Sequence, residues 1–114
     1  MIFKESIKNL KYLRYLFLND NQLSKFPDSI SNLSSLKELR LHENKLTTIP
    51  KSIGNLSYLR ELWLNQNQLT MIPESIGNLN SLEKIDLEEN QLTILPESIS
   101  KLKSLKSFLP SCSP

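Results

Sequence analysis

Leucines recur along this chain with a fixed period. Leu13, Leu36, Leu59 and Leu82 are 23 residues apart each time. Leu16, Leu39, Leu62 and Ile85 keep the same register, as do Leu18, Leu41, Leu64 and Leu87, and then Leu23, Leu46, Leu69 and Leu92. Phe26, Ile49, Ile72 and Leu95 each precede a proline, and Ile30, Ile53, Ile76 and Ile99 are each followed three residues later by Leu. A period of this kind marks a stack of similar units rather than a core built from unrelated elements. Within each unit, apolar and polar positions alternate around Tyr15-Leu16-Phe17-Leu18, the period of a short strand with one buried face. About three to five residues cannot stand alone as a sheet, so the strands must pair side by side in one parallel ladder. The second half of the unit supplies the return path. Proline fixes φ where the chain turns, and Ser-Ile-x-x-Leu sets an i, i+3 apolar pair on a tight turn, predicting 3₁₀ or irregular structure rather than a full α-helix.

A polar column runs through the same register: Asn21, Asn44, Asn67 and Asn90. Where the chain leaves the strand and turns inward, backbone groups lose their ladder partners, and each one buried unpaired costs about 1–3 kcal/mol. An asparagine amide carries both donor and acceptor, so the column reads as structural, pairing with the backbone of its own and the neighbouring unit.

At these residues the sequence resembles the leucine-rich repeat family, with the unit L-x-x-L-x-L-x-x-N-x-L-x-x-[FIL]-P-x-S-I-x-x-L-x-x. The Pro-x-Ser-Ile variant resembles the short intracellular and bacterial branch of that family. The resemblance implies an α/β fold: a right-handed leucine-rich repeat solenoid forming a short horseshoe arc, with a parallel concave β-sheet and a convex face of 3₁₀ or irregular turns. A single domain over 1–114 is expected. Residues 1–12 form a partial N-terminal unit, since Phe3, Ile7 and Leu10 match Phe26, Ile30 and Leu33. Units at 13–35, 36–58, 59–81 and 82–104 are complete, and 105–114 is a truncated fifth unit and tail.

Composition narrows the function classes. The chain has 114 residues, with 23 Leu, 10 Ile and 11 Asn but no Ala or Val, an apolar vocabulary too narrow for a varied core. A formal charge of +2 gives no reason to expect a nucleic-acid or anionic-membrane partner. One cysteine excludes an internal disulfide. Nothing approaches the roughly 20 apolar residues of a membrane-spanning helix. Lys4, Glu5 and Lys8 interrupt the N-terminal apolar residues, unlike the unbroken stretch of about 7–15 in a secretory signal. A cytoplasmic location is therefore favoured, although a secreted or surface-associated chain whose leader was removed would read the same way.

Little in the sequence points to catalysis. His42 is the single histidine, and Asn19 and Asn65 beside it are poor partners for orienting a general base. With Asp20 and Glu43 near, a weak Zn²⁺ site is conceivable, but a solvated histidine on a binding face is the stronger reading. Cys112 has no basic neighbour to lower its pKa. Glu83, Asp86, Glu88 and Glu89 match no Ca²⁺ loop, and Gly54 and Gly77 are too isolated to cradle phosphate. The acceptor motifs Asn32-Leu-Ser34 and Asn55-Leu-Ser57 recur with the repeat and imply nothing without secretion. The expectation is a non-enzymatic protein with no cofactor and no metal.

The outward strand positions carry the remaining information. Tyr15, Glu38, Glu61 and Lys84 form one column; Phe17, Arg40, Trp63 and Asp86 the next; Asn19, His42, Asn65 and Glu88 the third. Core positions barely change between units, yet these change at nearly every step, which suits recognition of one irregular protein partner on the concave face. Phe17 and Trp63 with Arg40 between them form an aromatic-cationic stripe of the residue types enriched at interface hot spots. A basic first unit (Lys4, Lys8, Lys11, Arg14) and an acidic fourth (Asp86, Glu88, Glu89) predict charge running along the ladder. The open strand edge at Tyr15 and Phe17 predicts a weak homodimer. The competing reading is a structural or vestigial piece of a longer array with no partner of its own.

Overall fold

The computed structural model describes residues 10–110. Expectations placed on Phe3, Lys4, Ile7, Lys8 and Cys112 lie outside the described residues. Five three-residue strands form one parallel sheet in chain order: β1 (Tyr15–Phe17), β2 (Glu38–Arg40), β3 (Glu61–Trp63), β4 (Lys84–Asp86) and β5 (Ser107–Leu109). The register is one full unit per strand, so Leu16 faces Leu39, Leu39 faces Leu62, Leu62 faces Ile85 and Ile85 faces Phe108. Repetition of the same spacing brings like residues side by side.

Four 3₁₀ turns make the return path, at Asp28–Asn32, Lys51–Asn55, Glu74–Asn78 and Glu97–Lys101. Each follows a proline whose φ lies between −74° and −68° and whose carbonyl accepts the N–H of the isoleucine three residues on. The turn closes when the following Leu N–H donates to that isoleucine's carbonyl, at 3.0–3.2 Å from Leu33 to Leu102. These are i→i+3 bonds, as the Ile-x-x-Leu spacing demands.

Between sheet and turns lies a thin apolar core. Leu36, Leu39, Leu41, Leu59, Leu62 and Leu64 are fully buried from the strand side, and Ile53, Leu56, Ile76 and Leu79 from the turn side. Along the backbone, every element lies against its equivalents in the adjacent units, while strand-side and turn-side side chains share the one core between them. The whole is the right-handed solenoid that the resemblance implies, elongated at 41 × 29 × 19 Å.

The asparagine column does what its donor and acceptor allow. Asn67 Nδ2 donates to the carbonyls of Leu41 and Leu64, both at 3.0 Å, while its Oδ1 accepts from Leu46 N–H at 3.0 Å. Asn44 and Asn90 repeat the pattern one unit either side. Among the described residues, Asn21 donates to carbonyls of its own unit, Leu18 and Asn19.

A second column was invisible in the sequence. Asp20, Glu43, Gln66 and Glu89 all sit in the left-handed region, with φ of 57–60°. The chain bends there to drive the next residue, the asparagine, inward. The strained conformation persists because the backbone N–H groups of Asp20, Glu43 and Gln66 still reach the next unit's carbonyls, those of His42, Asn65 and Glu88.

Candidate binding face

Alternation along each strand puts Leu16, Leu39, Leu62 and Ile85 into the core and turns their neighbours onto the concave side. The first two outward columns lie in the register pairs Tyr15–Glu38–Glu61–Lys84 and Phe17–Arg40–Trp63–Asp86. Arg40 lies between two rings: its guanidinium carbon is 4.2 Å from the centre of Phe17 and 4.5 Å from that of Trp63. Glu38 holds it there, accepting from Nε at 2.6 Å. Trp63 is held as tightly, since its indole N–H donates to Glu61 at 3.0 Å, Lys84 Nζ lies 3.9 Å from its centre and the His42 ring 5.3 Å away. Tyr15 and Phe17 meet tilted at 6.5 Å and remain open, with 57% and 51% of their surface exposed.

The face is therefore a row of stacked cations and rings in which Arg40 and Trp63 are each fixed by a carboxylate two residues earlier on the same strand. Such stacks contribute about 0.5–1 kcal/mol per pair when exposed and more once a partner excludes water.

Three candidate positions differ from the simple outward reading. Asp86 is 7% exposed, enclosed in its row between Trp63 and Leu109, and its Oδ1 accepts the Glu88 backbone N–H at 3.0 Å. It braces the loop and offers no open charge to a partner. His42 is half-buried against Trp63, and that burial, with some help from Arg40, holds its imidazole below the usual value, opposed by Asp20 and Asp86. His42 Nδ1 and Asn65 Oδ1 are shielded, with no hydrogen-bond partner among the described residues. Glu88 is exposed.

Two rows bordering the face were not singled out as sites from the sequence, although their spacing is visible there. Arg14, Lys37, Arg60 and Lys106 occupy one position before each strand, with Glu83 in the fourth unit. Lys37 and Arg60 line a shallow cleft of about 150 Å³ with Tyr15, Glu38 and Glu61. Beyond the strand ends run Asp20, Glu43, Gln66 and Glu89. Asp20 and Glu43 are close enough to hydrogen-bond, which lowers the pKa of Asp20 and raises that of Glu43. Charge is thus segregated across the strands, an arrangement the sequence reading did not include. No group of three or more His, Cys, Asp or Glu placed to hold a metal occurs among the described residues, and no described helix is long and apolar enough to cross a membrane.

A family model described as leucine rich repeat matches residues 1–46, 26–69 and 57–109. No curated protein matches the chain. Among solved structures it is similar to a leucine-rich repeat protein of Leptospira interrogans, at 38% identity and a TM-score of 0.88 over 96% of this chain and 30% of that one. An internalin of Listeria monocytogenes gives 30% identity and a TM-score of 0.80, over 96% of this chain and 32% of that one. The ectodomain of the Arabidopsis receptor kinase HAESA, in complex with a peptide hormone, gives 37% and 0.82, over 94% of this chain and 19% of the ectodomain chain. The chain spans less than a third of the length of each.

Proposed function

Because the chain belongs to the leucine-rich repeat family, whose domains generally mediate protein–protein interaction, we propose that it is a non-enzymatic module gripping a protein partner on its concave face. The stacking of Arg40 between Phe17 and Trp63 carries this reading. The leucine core, the backbone ladder and the asparagine column already join the units without it. It holds a flexible cation and a large ring in place before binding, which reduces the ordering cost on association. Tyr15 and Phe17 provide open apolar area beside it. Glu38 and Glu61 brace the stack, while His42, Lys84, Asp86 and Glu88 shape its far side. The peptide hormone bound by the similar plant ectodomain supports a polypeptide as the partner class.

The test is affinity capture with wild type and an Arg40→Ala/Trp63→Ala variant, folding being checked by circular dichroism. Loss of a captured protein with the variant supports the reading. A capture profile identical for both chains sinks it and favours a structural array without a partner of its own.

A weak homodimer through β1 is a second reading. Among the described residues, β1 pairs with β2 on one side only, beside exposed Tyr15 and Phe17. Light scattering over a concentration series tests it, with Phe17→Lys as control. A strict monomer overturns it.

A further inference from the structure

The concave face has two long borders of opposite charge. Where the strands begin, Arg14, Lys37, Arg60 and Lys106 repeat one unit apart, relieved only by Glu83. Their positions are fixed by the backbone: the carbonyls of Arg14, Lys37 and Arg60 each accept two N–H groups from the next unit. Where the strands end, Asp20, Glu43 and Glu89 repeat around Gln66, held in one left-handed bend, with Glu88 beside them.

Little of this charge is neutralised internally. The ion pair among the described residues is Arg40 with Glu38, inside the face. Of the two carboxylates that share the cleft with Lys37 and Arg60, Glu38 is paired with Arg40, while Glu61 accepts the Trp63 indole N–H and keeps its charge. On the acidic border, Asp20 and Glu43 crowd each other, and among the described residues neither forms an ion pair with Lys or Arg. The two borders are six positions apart along the chain, at most about 20 Å at roughly 3.3 Å per residue.

Resting on the concave-face reading, we infer that the partner presents a bipolar extended segment lying along the strand direction, across the ladder. Its acidic end meets Lys37 and Arg60, its apolar middle meets Phe17 and Trp63, and its basic end meets Glu43 and Glu89. A chain running along the ladder would keep one side on each border and gain nothing from segregating its own charges along its length. A segment lying across it matches the field over a span of about six or seven residues. Nucleic acid fits poorly, since its uniform phosphate charge would have to cross the acidic border.

Two synthetic nine-residue peptides of one composition test this. One carries three acidic residues, then Leu-Tyr-Leu, then three basic residues; the other carries the same residues with charges alternating. Fluorescence anisotropy should show the block peptide binding about tenfold tighter at low salt, with the gap closing as salt is raised. Lys37→Glu/Arg60→Glu should abolish the preference. Adding Glu43→Lys/Glu89→Lys should restore it, because a free peptide can turn round on an inverted field. A photo-crosslinker on the acidic end should then move from the strand-start border to the strand-end border.

Equal affinity for both peptides, lost in Arg40→Ala/Trp63→Ala, overturns the bipolar arrangement and leaves the concave-face reading standing. Equal affinity unchanged in that variant overturns both. No binding of either peptide at millimolar concentration also overturns the arrangement. So does wild-type dimerisation that disappears in the four-fold variant, which would put a second copy on these borders.

Discussion

At the scale of single residues, Asn67 shows how one side chain can close an account that the backbone leaves open. It satisfies two carbonyls and one N–H belonging to two units, in a place where water is excluded. Asn67→Ala should cost about 3 kcal/mol or more, from groups worth roughly 1–3 kcal/mol each when buried unpaired. Asn21→Ala should cost clearly less, because among the described residues Asn21 bonds to its own unit. Urea melts of both variants compare them, and equal losses would contradict the bridging role. His42 makes a prediction in pH. Burial holds its pKa below the ordinary imidazole value, so the unfolded chain takes up a proton first as pH falls. Stability through this group is complete above the unfolded pKa and is lost as pH drops through the folded one. Melts at pH 7.5 and 5 should therefore show a larger fall for wild type than for His42→Asn; equal falls would mean the ring is not desolvated. The asparagine's role was legible because an amide column beside a turning backbone has one economical use. The left-handed bend before it was not, because Asp20, Glu43, Gln66 and Glu89 look like ordinary exposed polar residues, and the hydrogen bonds to the next unit that hold the first three show only in the structure.

Each element owes its form to the one stacked beside it. The serine of Pro-x-Ser-Ile shows this on the convex side: Ser75 Oγ donates to the Lys51 carbonyl at 2.7 Å and Ser98 Oγ to that of Glu74 at 2.6 Å. The turns at Lys51–Asn55, Glu74–Asn78 and Glu97–Lys101 approach closely because glycine lies between them. A Cβ on Gly77 would sit 2.6 Å from Ser98 Cβ and 2.8 Å from its carbonyl oxygen. Gly77→Ala should therefore cost about 1–3 kcal/mol by overpacking, whereas an ordinary exposed-turn Gly→Ala is often neutral or stabilising. Thermal melts decide between them. On the strand side, Leu62→Ala should cost about 2–5 kcal/mol. Glu61→Ala should cost no more than about 1 kcal/mol, the loss of one partly exposed hydrogen bond to the indole. Comparable losses would mean that β3 is shifted by one residue. Strand register and 3₁₀ turns could both be read from spacing alone, since period and proline position leave few alternatives. The stacking on the concave face could be read only as proximity: the columns gave Phe17, Arg40 and Trp63 as neighbours, but not that Glu38 and Glu61 clamp them, nor that Asp86 turns into the loop.

For the whole molecule, the contact pattern is one-dimensional, each unit touching only those next to it. Stability should then behave as a sum of unit terms and nearest-neighbour terms. Ile→Val changes, each costing about 0.5–1.5 kcal/mol, make a gentle probe. The pair Ile30→Val and Ile76→Val, two units apart, should be additive within about 0.5 kcal/mol, while Ile53→Val and Ile76→Val should deviate from additivity. Strong coupling in the distant pair would point to a globally shared core. The same linear order places the chain's one tryptophan, Trp63, on the middle strand of the concave sheet and not in the leucine core. Its emission consequently reports on the surface of the array: partner binding that covers the ring should shift the spectrum to the blue and slow quenching by iodide, giving an unlabelled optical titration of occupancy built into the protein.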